Sequence, residues 1–292
     1  MSGKTVVIEM LFNDRWDETT RKLKDPIVTL SDVQDAIIQY NRSLSPEHQR
    51  DSLSPRNPAN FMKDFVRNRK RANVNWPVAV WEAGYTAQQV TGQNLCFAFI
   101  PKRKHQTEPF SSPFGSPDNH TPKHRIESVS LPLASRKLGR TDEPWLIQVL
   151  VRLRVIETHL TLFSPLRFLQ LDHLQMSVKL ARSEIDTLFL GIIETPKGEY
   201  VEAIVSGEAK SLHDDLLENQ MIRQVQAIFS VVTQDVVVPL GIKAIGPSQV
   251  YVVECQAVSR SEAPNLQTLV VVSRALYELV PSVPGIGGLN HQ

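Results

Sequence analysis

Residues 184–210 constrain this chain more than any other stretch. They read EIDTLFLGII, then ETPKGE, then YVEAIVSGEAK, two apolar runs joined by a turn signal. Ile, Leu, Phe, Val and Tyr dominate the runs, and Pro196-Lys197-Gly198 between them predicts a hairpin of two antiparallel strands. If pairing centres on residues 196–198, Asp186 falls opposite Glu208, because the two numbers add to twice 197. Two carboxylates at one sheet end repel unless a cation lies between them, and the hard, oxygen-liganded Mg²⁺ suits that place. Lys210 stands two residues past Glu208, so the pleat points it to the same face, where an ammonium orients a water or neutralises charge developing on phosphorus. Asp186 is also costly where it stands. Ile185, Leu188, Phe189 and Leu190 surround it in sequence, and an acid among such neighbours needs a partner.

The flanking residues place this hairpin in a larger unit. Residues 143–163 read as one helix with Trp145, Leu146, Val149, Leu150, Leu153, Val155, Ile156 and Leu160 as its apolar positions, and Glu157 lies in its apolar second half. Residues 166–179 lead to the hairpin as a strand or loop. Behind Lys210, residues 214–232 recur at helical spacing through Leu216, Met221, Val225 and Phe229, with Gln220 and Gln224 four apart and Arg223 between them. Strands are expected over 236–245 and 249–257, then a helix over 266–279 that covers the sheet or offers a dimer face, and a flexible tail from 281.

The order Asp186, then Glu208-Ala209-Lys210, on consecutive strands behind a helix resembles the PD-(D/E)XK nuclease superfamily, the fold of many restriction endonucleases. Ile185 stands where the name has Pro. The resemblance covers most of residues 143–260 and implies a mixed sheet flanked by helices, an α+β or α/β core. It implies that Asp186 and Glu208 hold Mg²⁺, with Mn²⁺ able to substitute, that the Ala209 carbonyl is a further ligand, and that Lys210 positions the attacking water. Gln224 matches the polar residue that the helix after the catalytic strand brings back to the site. Glu157 resembles the extra glutamate that some members add as a metal ligand; the alternative is a surface Glu paired with Arg154 or His159.

Residues 1–101 form a candidate second module. Ser31 or Asp32 is a fitting N-cap for a helix through Asn41, and Asn57-Pro58 opens a second helix over 59–69 with Phe61, Met62, Phe65 and Val66 inward. Trp76-Pro77 begins a third short helix, and residues 85–100 alternate like a hairpin around 91–94. Three helices and a terminal hairpin are the parts of a winged helix, which reads DNA with one helix in the major groove. The basic run Arg67, Arg69, Lys70 and Arg71, with the amides of Asn68, Asn73, Asn75, Gln88, Gln89 and Gln93, is the expected DNA-binding set. Between the modules, residues 102–142 are rich in Pro, Ser, Lys, Arg and His, the composition of a linker or long extended loop that is mobile without DNA. His105, His120 and His124 have no metal-ligand spacing there, and Arg182 flanks the hairpin as a further basic residue.

Composition narrows the setting. The formal net charge of +1 neither shows nor excludes nucleic-acid binding, and the two cysteines, Cys96 and Cys255, have no metal-like spacing and fit a reducing, bacterial-type cytoplasm. No apolar run reaches membrane-spanning length, so no membrane partner is expected. The reading is thus a DNA endonuclease: a winged-helix reader over 1–101, a linker over 102–142 and a Mg²⁺-dependent nuclease domain over 143–292. Double-stranded DNA is the expected partner, and cutting both strands calls for a homodimer. A 5-methyl group on cytosine is readable in the major groove as the thymine methyl is, and both unmodified and methylated sites stay open. The rival is a winged-helix transcriptional regulator with a non-catalytic C-terminal half.

Overall fold

The computed structural model describes residues 2–90, 94–104, 106–137, 140–180 and 183–288. Gln93, His105 and Arg182 lie outside these residues, as does most of the expected turn at 91–94. The chain divides into two compact units, Met1–Ser111 and Ser112–Gln292. Among the described residues no helix is long and apolar enough to cross a membrane.

The first unit opens with a helix that is not among those expected, α1 (Gly3–Asn13), capped by Ser2, whose side chain accepts from the Thr5 N–H. Its apolar run VVI is β-branched and reads locally as extended; burial of Val7, Ile8, Leu11 and Phe12 overrides that preference. Two short strands, β1 (Trp16–Asp17) and β2 (Lys22–Leu23), pair with each other, and β3 (Ile27–Thr29) leads into α2 (Leu30–Ser43). Thr29, rather than Ser31 or Asp32, is the α2 N-cap, and Asp32 completes a capping box by accepting from the Thr29 N–H. The single helix expected over 59–69 is a 3₁₀ turn (Pro58–Asn60) and α3 (Phe61–Val66), which ends before Asn68 starts α4 (Arg69–Asn75) by capping the Arg71 N–H. A short α5 (Val78–Glu82) precedes β4 (Tyr85–Gln89) and β5 (Leu95–Pro101), which pair as an antiparallel hairpin, with β3 on the far side of β5. Phe12, Met62, Phe65, Trp76, Phe97 and Phe99 fill the core between helices and sheet.

In the second unit β6 (Lys123–Glu127) and α6 (Leu133–Lys137) come from the segment expected to be a linker. That expectation is corrected. Its first part belongs to the first unit, where Phe110 packs on Phe65 and Trp76 and Asn73 holds the Glu108 side chain and the Phe110 backbone. Its later part supplies an edge strand, and Phe114, Ile126 and Leu131 are buried in the second unit. Proline-rich composition signals a lack of helix, and these prolines punctuate packed structure.

The helix expected over 143–163 is two helices, α7 (Glu143–Arg152) and α8 (Val155–Leu162), broken at Arg154, whose φ of 53° is left-handed. Then come β7 (Arg167–Leu180), β8 (Ser183–Glu194), β9 (Tyr200–Lys210), α9 (Glu218–Phe229), β10 (Val236–Gly246), β11 (Gln249–Cys255), β12 (Val258–Ser259) and β13 (Val271–Val280). The sheet order is β6-β13-β11-β10-β9-β8-β7, with β12 beside β10. β7, β8 and β9 form an antiparallel meander; β10 returns parallel to β9 after α9, and β6 is parallel to β13. The helix expected over 266–279 is therefore corrected to strand β13, inserted between β11 and β6. Val270-Val271-Val272 is stiff at χ1 and favours the pleat, and Ala275, Tyr277 and Leu279 recur every second residue on the α7 and α8 side. Helices cover both faces: α7 and α8 over Val205, Ala209, Leu240 and Ile242, and α9 over Leu188, Ile204 and Val237.

Candidate active site

The β8–β9 ladder ends at Thr187 opposite Gly207, in the register the hairpin arithmetic requires; beyond it Asp186 Oδ2 accepts from the Ala209 N–H and its charge acts on Glu208. Opposed residues share a face, and Lys210 shares it by the two-residue period. Ile204 lies on that face under α9, and Gln224 of α9 reaches down to it.

The members of the cluster engage one another. Asp186 Oδ2 accepts from the Ala209 N–H at 2.7 Å. The Lys210 ammonium donates to the Ala209 carbonyl at 3.1 Å and forms an ion pair with Glu208 Oε1. Gln224 Nε2 donates to Glu208 Oε2 and, at 2.8 Å, to the Glu184 carbonyl, locking α9 to both strands. Glu208 is 1% exposed. The Lys210 ammonium thus occupies two of the oxygens expected to face a metal, one on Glu208 and the Ala209 carbonyl.

Burial, and next the Asp186 charge, push the Glu208 carboxyl up to about 7 against the opposing pull of Lys210. Burial raises Asp186 too, opposed by the Ala209 N–H and Lys210. Burial works against the Lys210 ammonium, but Glu208, Asp186 and Glu143 outweigh it and raise its pKa. The Arg223 guanidinium is lowered by burial, and Glu208 counters that.

The structure therefore brings together Asp186, Glu208, Ala209, Lys210 and Gln224. It does not bring Glu157 to them, which corrects that assignment: the Arg154 break puts Glu157 in the first turn of α8, where burial raises its pKa and Arg154 is the charge acting on it. Glu143, at the first turn of α7, is near enough for its charge to raise both Asp186 and Lys210. The sequence carries a signal for it in Asp142-Glu143-Pro144, an N-cap followed by an acid and a proline. Acids are ordinary at helix starts, so that signal could not single it out.

The donor set fits a hard cation in type: two carboxylates and a backbone carbonyl, all oxygen. Asp186, Glu208 and the Ala209 carbonyl are the groups that would hold it. Among the described residues no group of three His, Cys, Asp or Glu side chains gathers as a ligand cluster.

In the first unit the amides expected to read DNA are mostly committed to the fold. Asn68 caps α4, Asn73 is tied to Glu108 and Phe110, and Asn75 donates to the Arg71 carbonyl at 2.8 Å. Those three roles are corrected to structural ones. Arg67, Lys70 and Arg71 are exposed, whereas Arg69, Gln88 and Gln89 are half-buried, the two glutamines on β4. Val74, on the same helix as Lys70 and Arg71, is 84% exposed. Trp76 is a core residue, its indole N–H donating to the Tyr85 carbonyl.

No family model matches the chain, and neither does a curated protein or a solved structure.

Proposed function

We propose that the chain is a Mg²⁺-dependent endonuclease of the PD-(D/E)XK type that hydrolyses phosphodiester bonds in double-stranded DNA. The observation that carries this reading is the convergence of Asp186, Glu208 and Lys210 on one sheet face, on a meander whose third strand is followed by a helix and a parallel strand. The Asp186 charge raises the pKa of buried Glu208, a cost that a bound cation would offset. The bound cation would polarise the phosphoryl oxygens and lower the pKa of a water.

The residues around it have separable tasks. Asp186 and Glu208 supply negative charge, and the raised pKa of Glu208 ties its charge to pH near neutrality. Lys210, released from Glu208, orients the attacking water and balances charge on the phosphorane oxygens. Gln224 fixes one Glu208 oxygen so that the other stays aimed at the site. Glu143 adds to the negative field from the edge of the same cluster.

For the first unit the reading is a winged-helix DNA reader. Arg67, Lys70 and Arg71 furnish phosphate contacts, and exposed Val74 offers an apolar surface to a thymine or 5-methylcytosine methyl group. Cleavage of both strands is assigned to a homodimer on DNA. The test is incubation of wild type and Lys210→Ala with Mg²⁺ and two plasmid preparations, one unmodified and one carrying 5-methylcytosine. Discrete fragments from wild type alone support the nuclease; tight DNA binding without cleavage of either plasmid transfers the reading to a regulator.

A further inference from the structure

The parallel pairing of β10 with β9 sets Lys243 directly beside Lys210, and Gly241 beside Glu208. Paired residues of neighbouring strands point to one face and stand about 5 Å apart. Leu216, which follows β9, covers Gly241 on that face, since a Cβ there would lie 2.8 Å from its Cδ1. Lys243 is the one charged residue of β10, a strand otherwise written VVVPLGI and AIG. Its ammonium is held at 2.7 Å by Asp215, which lies between β9 and α9; the two side chains are 21% and 23% exposed.

An ion pair this sheltered costs desolvation that an apolar residue in its place would avoid, so the fold alone gives weak reason for a lysine in an apolar strand. Its position gives a stronger one. The two lysines share one face at paired positions, and each ammonium lies against an acid, Glu208 for Lys210 and Asp215 for Lys243. Such a pair of cations matches a run of phosphates, and lysine serves as a point charge for them.

We propose that Lys243 contacts a backbone phosphate adjacent to the scissile one, and that Asp215 holds the ammonium in the free protein until that phosphate displaces it. The identity of the polyanion rests on the nuclease reading; the exchange of Asp215 for an external anion rests on the pair itself. Lys243 is thus a positioning residue: it seats the DNA and takes no part in bond making.

The test compares Lys243→Gln and Asp215→Asn in binding a random-sequence DNA duplex without divalent ions, over a range of salt. Lys243→Gln should weaken binding about tenfold and flatten the salt dependence by roughly one unit of slope. Asp215→Asn should tighten binding several-fold, because it frees the ammonium, and Lys243→Arg should retain most of the affinity. Opposite signs for the two neutral variants, each measured where the protein is fully folded, support the proposal. Equal weakening by both, the behaviour of a simple staple between the loop and β10, overturns it, as does no change in either. Opposite signs in a protein that cuts no DNA with Mg²⁺ would leave this phosphate contact standing and remove the nuclease reading instead.

Discussion

Two buried polar clusters share the second unit, and each contains a buried glutamate. Around Glu208 the partners are charged or strongly polar: Asp186 opposite, Lys210 against one oxygen, and Gln224 on the other. Around Glu254 they are hydroxyls. Ser164 and Ser273 each donate at 2.7 Å, His159 lies 3.0 Å from Ser273, and the Tyr277 hydroxyl lies 3.0 Å from the other His159 nitrogen. With the Ser273 proton committed to Glu254, the consistent assignment is a His159 Nε2–H donating to Ser273 and Nδ1 accepting from Tyr277. One cluster is a hydrogen-bonded chain that ties α8 to β11 and β13. The other sets like charges together, which folding does not require and binding of a cation rewards. The difference teaches that burial alone does not set Glu208 apart; the second carboxylate and the lysine beside it do, and they carry the proposed role.

The largest expected effect separates the clusters by activity. Asp186→Asn keeps an acceptor for the Ala209 N–H but loses the charge, and we expect cleavage to fall about a thousandfold with no drop in thermal midpoint. A parallel fall in midpoint and activity would make Asp186 structural and erase the contrast.

The Glu254 cluster should answer to pH. Burial lowers His159 to about 4 from an ordinary 6.5, so folding favours its neutral form. That contribution is present above pH 6.5 and is lost as pH falls through 4, amounting to about 3 kcal/mol. Glu254, raised by burial, works in the opposite sense, so the imidazole is isolated by comparing wild type with His159→Gln in urea unfolding from pH 7 to 4. A variant whose stability falls as steeply as that of wild type would show that His159 is not the source.

Next in size, Ser273→Ala leaves His159 Nε2 and Glu254 Oε2 each short of a partner, and we expect a loss of about 2 kcal/mol with cleavage per folded molecule unchanged. Reduced turnover at full folding would tie this cluster to the site. Smallest is the reader: replacing Arg67, Arg69, Lys70 and Arg71 together with Ala should reduce the salt slope of DNA binding by roughly one unit for each phosphate that these cations neutralise. An unchanged slope would remove this run from the interface.

The hairpin was legible in the sequence because its information is local. Two β-rich runs and one Pro-Lys-Gly turn fix the register, and the register fixes which carboxylates meet. Gln224 was singled out only through the family resemblance, on the helix that follows the strand. Glu143 was hidden because an acid at a helix start is ordinary, and Glu157 was misplaced because the left-handed turn at Arg154 breaks two apolar stretches that share helical periodicity. Strand β13 was misread because its apolar residues suit both periods, and only its place between β11 and β6 decides. Asn73 looked like a base reader because an exposed amide and a buried tie to residues 108–110 have the same sequence. Lys243 gained meaning only from the parallel neighbour that sets it beside Lys210.

The most direct measurement is cleavage of unmodified and 5-methylcytosine-bearing plasmid by wild type and Lys210→Ala, with Mg²⁺ and with EDTA. We expect discrete fragments from wild type in Mg²⁺ alone, and none from Lys210→Ala although it still binds DNA. Cleavage that survives either EDTA or the removal of the Lys210 ammonium would contradict the assignment of this cluster as the catalytic site.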